Sequence, residues 1–314
     1  MRVIISGAAG FIGRALCQAF HKDYEVIVLS RDALRAAGAI GEWAKVVEWD
    51  ARTAGTWARQ AEGAYAIINL AGESLAAGRW TQSRRASIVQ SRTNSAGAVV
   101  DAVSGAKVKP AVVIQASGVG FYGLRGDELL TEDSAAGSGF LADVCRRTES
   151  MAARVERSGV RYVALRSGLV LGREGGVLPR FITPYRFFLG GTLGRGRQWV
   201  SWIGLEDEIR AIRFLMENQN LNGAFNLAAP SPVTMGQFSR TLGRALRRPA
   251  WTMVPAFALR LVFGQMADEV LLASQKAIPK RLTEAGFTFK YPQLQAALEA
   301  AIRGKNNEPG QLLR

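Results

Sequence analysis

Arg2-Val3-Ile4-Ile5-Ser6-Gly7-Ala8-Ala9-Gly10-Phe11-Ile12-Gly13 is the stretch on which the fold turns. A strand-like apolar run, Val3-Ile4-Ile5-Ser6, feeds directly into glycines spaced at Gly7-x-x-Gly10-x-x-Gly13, and a helical pattern follows over Phe11–Phe20. Glycines in this position allow a tight turn and let backbone approach a pyrophosphate closely. The helix behind them offers unbonded N–H groups and the positive end of its dipole. A glycine pattern alone is common; between a strand and a helix it predicts a dinucleotide-binding loop made by Gly7, Gly10, Phe11, Ile12 and Gly13.

Working outward, short apolar runs at Glu25–Ser30, Lys45–Trp49, Tyr65–Leu70, Ala111–Ala116 and Arg161–Arg166 alternate with helical segments, of which Thr81–Val103 and Leu141–Arg157 are the clearest. Such alternation predicts an α/β fold: a Rossmann doubly wound parallel sheet with helices on both faces. From about Gly172 the texture changes, with Gly175-Gly176, Gly190-Gly191 and Gly194-Arg195-Gly196 breaking up a loop-rich region. The expected division is a cofactor domain over 1–171, to which some later segments return, then a smaller C-terminal α/β lobe over 172–303 and a loose tail over 304–314. The most apolar stretch, Trp251 to Phe263, is interrupted by Pro255 and Arg260 and reads as a buried helix, and the last part of the lobe, Met266 to Arg303, reads as mainly helical.

With 48% hydrophobic and 21% charged residues the chain has the make-up of a folded globular protein. No apolar run reaches the length of a membrane span, and Met1 leads straight into the first strand, leaving no room for a signal peptide. Two cysteines, Cys17 and Cys145, fit a reducing cytoplasm. The net charge of +14 is compatible with nucleic acid, an acidic membrane surface or anionic small molecules. The basic residues are scattered as short pairs with no nucleic-acid motif, so a solvated arginine-rich surface without specific nucleic-acid binding is expected, part of it serving a phosphorylated cofactor.

The end of the second strand selects the cofactor. NAD-type domains carry an acid there for the ribose 2′-OH; here the strand ends in Ser30-Arg31. A hydroxyl and a guanidinium suit a 2′-phosphate, which predicts NADP(H). Asp32 is the one nearby carboxylate.

Several segments resemble the extended short-chain dehydrogenases/reductases: the Ser6–Gly13 loop, Asn69-Leu70-Ala71-Gly72, Phe121-Tyr122-Gly123, Arg166-Ser167-Gly168-Leu169-Val170-Leu171-Gly172, Trp202-Ile203-Gly204-Leu205-Glu206-Asp207 and Phe225-Asn226-Leu227. Gly190-Gly191-x-x-Gly194-x-Gly196-Arg197-Gln198-Trp199, Ala229-Pro230-x-Pro232-Val233-Thr234 and the closing Ala285-Gly286-Phe287-x-Phe289-x-Tyr291-Pro292 narrow the resemblance to an atypical epimerase family group with an extra C-terminal segment. The resemblance implies that Ser30, Arg31, Leu70, Ala71, Arg92 and Val170 contact NADP(H), with Gly72 in the motif beside the adenine ribose. Gly204 departs from the family, which usually carries His there.

The family's catalytic set is missing. No Lys occurs between Lys109 and Lys276, so no helical Tyr-x-x-x-Lys exists; counting back from Glu149, which resembles the Glu that follows that motif, puts Leu141 and Cys145 in those two positions, and counting back from Tyr122 puts Gly118 in that of the Ser or Thr. No catalytic residue is assigned. Ser117 and Tyr122 are the candidates, Ser117 also for a contact to the nicotinamide amide. The plainer readings are a strand-end hydroxyl and a structural turn. Glu132-Asp133 is either a substrate contact or a polar turn, and Cys145 a small buried side chain. Tyr162-x-x-x-Arg166 has the catalytic spacing but lies on a strand. The only histidine, His21, rules out a Ser-His-Asp triad and His-ligated metal. Two functions remain open: an NADP(H)-dependent oxidoreductase or epimerase-like enzyme with an atypical acid/base, or a non-catalytic NADP(H)-binding sensor or scaffold with a protein partner. Substrate and oligomeric state are not given by the sequence.

Overall fold

The computed structural model describes residues 1–303. The expected tail, 304–314, lies outside the described residues. Seven parallel strands form the central sheet: β1 (Arg2–Ser6), β2 (Glu25–Ser30), β3 (Lys45–Glu48), β4 (Ala66–Asn69), β5 (Val112–Ala116), β6 (Arg161–Ser167) and, from the second half of the chain, β10 (Gly223–Leu227), in the order β10-β6-β5-β4-β1-β2-β3. The strands are apolar on both sides because both sides are covered. Val3, Ile5, Val26, Val28, Ile68 and Ile114 pack against α1 (Phe11–Phe20), α2 (Ala33–Ile40) and α6 (Leu205–Glu217). Ile4, Ile27, Ile67 and Val113 point the other way, onto α3 (Gln82–Gly105) and α4 (Phe140–Ala152).

The order in which strands are laid down reverses between β1 and β4, which pair directly with Ser6 opposite Asn69. Clefts in open parallel sheets form at such a switch point, and here the glycine loop leaves the sheet.

Beyond β6 lie two small parallel pairs: β7 (Leu169–Leu171) with β9 (Trp202–Gly204), and β8 (Gly191–Leu193) with β11 (Thr252–Val254). Trp202 and Leu171 anchor a separate apolar cluster with α5 (Leu178–Arg186), α7 (Met235–Leu246) and α9 (Leu294–Arg303). The glycines of this region are where backbone meets a ring or another backbone: a Cβ on Gly172 or Gly175 would collide with Phe11.

One expectation for the last part is corrected: Trp251–Phe263 is not a buried helix, since Thr252–Val254 pairs as strand β11 and α8 (Ala256–Phe263) buries only Leu259. Met266–Arg303 is helical over just more than half its length, in separate pieces. It runs as a strap through a single turn at Ala267–Leu271, a two-residue strand at Lys276–Ala277 and a short helix at Lys280–Glu284 before α9. The strap holds the loop 123–133: Gln275 donates to Gly123 O, Ser274 to Gly126 O, Ile278 N to Leu130 O, and Lys280 pairs with Asp133.

Candidate active site

The glycine loop is built for close approach. Gly7 has φ +68°, and a Cβ on it would stand 2.7 Å from Leu70 O; one on Gly13 would stand 2.4 Å from Ala8 Cα. Gly10 N donates to Gly7 O, and α1 starts with no side-chain cap, so the first N–H groups of the helix face the cleft unbonded. Beneath Leu70 and Ala71 lies a buried polar network. Ser6 donates to Asn69, Asn69 donates to Gln115 (2.8 Å), and Ala71 N donates to Ser6 Oγ (3.2 Å). These bonds fix the floor on which an adenine ribose would rest.

Arg31 is exposed and has no carboxylate partner among the described residues. The Ser30 hydroxyl closes a local turn, donating to Asp32 O at 2.9 Å and accepting from Asp32 N. Asp32 is committed elsewhere: its carboxylate caps α2 by accepting from Arg35 N. The one acid near the ribose end therefore belongs to a helix. Arg92, on α3, lays its guanidinium along Gly72 and likewise lacks a carboxylate partner among the described residues; burial lowers its pKa. Two guanidinium groups without carboxylate partners among the described residues, a set of free N–H groups and two clash-limited glycines fit a dinucleotide carrying an extra phosphate.

The cleft opens into a cavity of about 620 Å³, lined by Ile12, Leu70, Ala71, Gly72, Arg92, Ser117 and Val170 on the sheet side, and by apolar side chains such as Leu75, Phe181, Leu193, Phe263 and Met266 on the other. Gly118, Leu141 and Cys145, the three positions expected from the sequence to lack the family's functional groups, all line it. Burial pushes the Cys145 thiol up to about 11, so it is no nucleophile at neutral pH.

Most polar groups on the wall are already bonded to the protein. The Ser117 hydroxyl donates to Glu149 (2.6 Å), which is held by both sides of the Arg166 guanidinium (3.1 and 2.9 Å). Ser201 donates to Gln275 O, Tyr185 to Ser239 O and Thr252 to Leu189 O. The Glu269 carboxylate accepts from the N–H groups of Phe140 and Leu141 at the start of α4.

Tyr122 lies outside the cavity. It is fully buried, its hydroxyl donates to Asn226 (2.6 Å) and accepts from Arg166 (3.2 Å), and Arg166 stacks on Phe121 at 3.4 Å. Glu132 accepts from Asn226 N, and Asp133 pairs with Lys280, so this dipeptide ties β10 and the strap together. Tyr162 is a core residue, while Arg166, four positions on along the strand, carries the Glu149 ion pair.

One wall residue escaped the sequence reading. Glu208, in the first turn of α6, is 1% exposed yet lines the cavity. Its Oε1 accepts from Ser167 (2.7 Å), whereas Oε2 has no partner. Burial, with only the Ser167 hydroxyl opposing it, raises its pKa to about 8. A neutral carboxylic acid thus stands at the end of β6.

Comparison with known proteins agrees with this layout. Residues 3–228 match the NAD dependent epimerase/dehydratase family, and residues 254–301, most of the strap with β11's end, α8 and α9, match a domain of unknown function, DUF1731. The chain is 37% identical over 299 residues to the epimerase family protein ML0860 of Mycobacterium leprae, covering 95% of each. With the epimerase family protein YfhF of Bacillus subtilis it shares 37% over 304 residues, 96% of this chain and 98% of the other. The crystal structure of human epimerase family protein SDR39U1 (isoform 2) with NADPH superposes with a TM-score of 0.86 at 32% identity, over 96% of this chain and 99% of that one. On fold, glycine loop and sequence together, the chain belongs to the NAD dependent epimerase/dehydratase family.

Proposed function

We propose that the protein is an NADP(H)-dependent oxidoreductase of the cytoplasm that acts on an apolar carbonyl or enone rather than on a nucleotide sugar. NADP(H) is the cofactor: Arg31 meets the 2′-phosphate, the N–H groups of Phe11, Ile12 and Gly13 the pyrophosphate, and Arg92 a further oxygen of the same ligand. Bound NADPH supplies a hydride. The SDR39U1 structure with NADPH supports the assignment.

The observation that carries the reading is Glu208. Reduction of a carbonyl or enone needs a proton alongside the hydride, and the phenol that gives it in other family members is replaced by Leu141. Glu208 holds a proton at neutral pH on a carboxyl group whose second oxygen is free. Ser167 fixes the orientation of that carboxyl, and Ser117, held by Glu149, is a second hydroxyl at the same wall. Tyr122 positions Arg166 and through it Glu149. A nucleotide sugar presents many hydroxyls and a diphosphate, and this wall leaves few groups to bond them. Free, buried Cys17 and Cys145 accord with a reducing compartment, and among the described residues no helix is long and apolar enough to cross a membrane. The scattered arginines carry no sequence-specific nucleic-acid recognition.

NADPH oxidation measured across a panel of quinones and enones tests this. Turnover should appear with apolar acceptors and not with nucleotide sugars. The rate should fall as pH rises through about 8, where Glu208 loses its proton. Glu208→Gln should lower kcat by about 100-fold with NADPH affinity retained. NADPH bound tightly but no acceptor reduced would favour the non-catalytic sensor, a reading supported by the emptied positions Gly118, Leu141 and Cys145.

A further inference from the structure

Nine large apolar side chains stand exposed on one part of the C-terminal lobe. They come from the end of α5, from β11 and its flank, and from α8. Phe187, Leu189, Trp251, Met253, Phe257 and Leu261 are each more than half exposed, Trp251 and Leu261 at 74%. They form one surface. Trp251 Nε1 donates to Phe188 O, Thr252 Oγ1 to Leu189 O, β11 lies beside β8, and Pro255 leads from β11 into α8. Helix α8 is apolar on every side but one and buries only Leu259, the reverse of what a soluble surface helix does.

The charge around the patch is mainly positive, with Arg260 of α8 paired to Asp268. Residues 175–205 and 218–267, which contain it, hold nine arginines, no lysine and no acidic residue. Four of these, Arg240, Arg244, Arg247 and Arg248, line a shallow groove of about 640 Å³ beside the patch, and none has a carboxylate partner among the described residues. Arg248 joins groove to patch, its guanidinium lying 4.7 Å over the Phe188 ring. The active-site cavity opens in the same place, since Leu189 and Val254 belong both to its wall and to the exposed patch.

From this geometry we infer that the lobe docks on an anionic lipid bilayer, with Trp251, Phe257 and Leu261 in the acyl boundary and the arginine groove on the headgroup phosphates. Aromatic and aliphatic side chains at an interface, ringed by arginine, are what binding in the plane of an acidic membrane requires. A partner protein or a second copy would bury the same apolar residues, but a groove of four arginines without carboxylate partners among the described residues gives no counter-charge to a copy of itself. Docked this way, the cavity mouth faces the hydrocarbon, and the apolar acceptor enters from the membrane without crossing water. That last step rests on the oxidoreductase reading; the docking does not.

Co-sedimentation with vesicles tests the docking without any turnover. The full chain should pellet with equimolar phosphatidylglycerol and phosphatidylcholine vesicles and hardly at all with phosphatidylcholine alone, and high salt should weaken it. Trp251→Ser with Phe257→Ser should reduce binding by about tenfold or more. Arg247→Ser with Arg248→Ser should do the same for the anionic vesicles. All four residues lie outside the cavity wall, so NADPH affinity and thermal unfolding should not change. Absence of vesicle binding, or binding that survives the Trp251/Phe257 change, would overturn the inference. So would a solution dimer that the Trp251/Phe257 change dissociates. Vesicle binding without acceptor reduction would leave docking standing and remove the oxidoreductase reading; acceptor reduction without vesicle binding would do the opposite.

Discussion

Two side chains illustrate what sequence shows and hides about the site. Arg31 is legible because a strand end has a fixed place relative to the glycine loop, so its partner follows from position alone. The structure adds that Asp32 is consumed as a helix cap and that the Ser30 hydroxyl is engaged in its turn, which leaves the Arg31 guanidinium as the group proposed for the 2′-phosphate. Fluorescence titration should show NADPH bound more tightly than NADH by about 1.5 kcal/mol or more. Arg31→Ala should erase most of that difference while leaving NADH unaffected; a native protein indifferent to the 2′-phosphate would contradict the assignment. Glu208 was not legible, because its burial comes from packing between α6 and β6 rather than from any spacing. The one hint is that it falls on the apolar stripe of its helix, with Ile212 and Leu215. Folded, it keeps its proton to about pH 8; its ordinary value is 4.5. Between those values the folded chain binds the extra proton, so this group's contribution to stability falls as pH rises from 4.5 toward 8 and is constant above. Urea unfolding of Glu208→Gln should therefore show a flatter pH dependence across that window than the native chain. Parallel curves would mean that the carboxyl is ionised in the folded state.

At the scale of elements, β1 to β6 and α1, α3 and α4 were read to within a few residues at most edges. Strands covered on both faces are continuous apolar runs, and the helices between them have room for a clear period. The exception among them is the end of α4, where the chain beyond Ala152 turns through tighter helical geometry instead of continuing to Arg157. Past residue 172 the same logic fails. The elements are two or three residues long, and their partners lie far away in sequence. Helix α8 was assigned to the core from apolarity alone, since composition cannot tell a buried helix from one that seeks another apolar phase. Asp207 shows how the late elements are held. It is fully buried in the first turn of α6 and accepts from Lys290 N and Tyr291 N, both at 2.8 Å, besides pairing with Arg210. Asp207→Ala strands two backbone donors and should cost about 3 kcal/mol in chemical unfolding. Loss of less than one-third of that would show that water replaces the carboxylate.

Over the whole molecule, a net charge of +14 read from composition has no direction; the C-terminal lobe gives it one where residues 175–205 and 218–267 carry arginines and no acidic residue. The strap from Ser274 to Tyr291 has a consequence in time. It closes the 123–133 loop through bonds such as Ile278 N to Leu130 O, 148 positions apart in a chain that is made from one end. At ~5–20 residues per second a ribosome finishes Leu130 roughly 7–30 s before Ile278 exists. Throughout that interval the loop beside the cavity has no partner, although the first five strands are already made. Trypsin should cut after Arg125 in nascent chains halted before Lys276 and spare chains extended past Tyr291. Equal cleavage of both would show that the loop orders itself unaided. The cavity is thus unfinished until strap residues that line it, such as Gln275, have been made, and any chaperone that attends this protein has its task set by that delay.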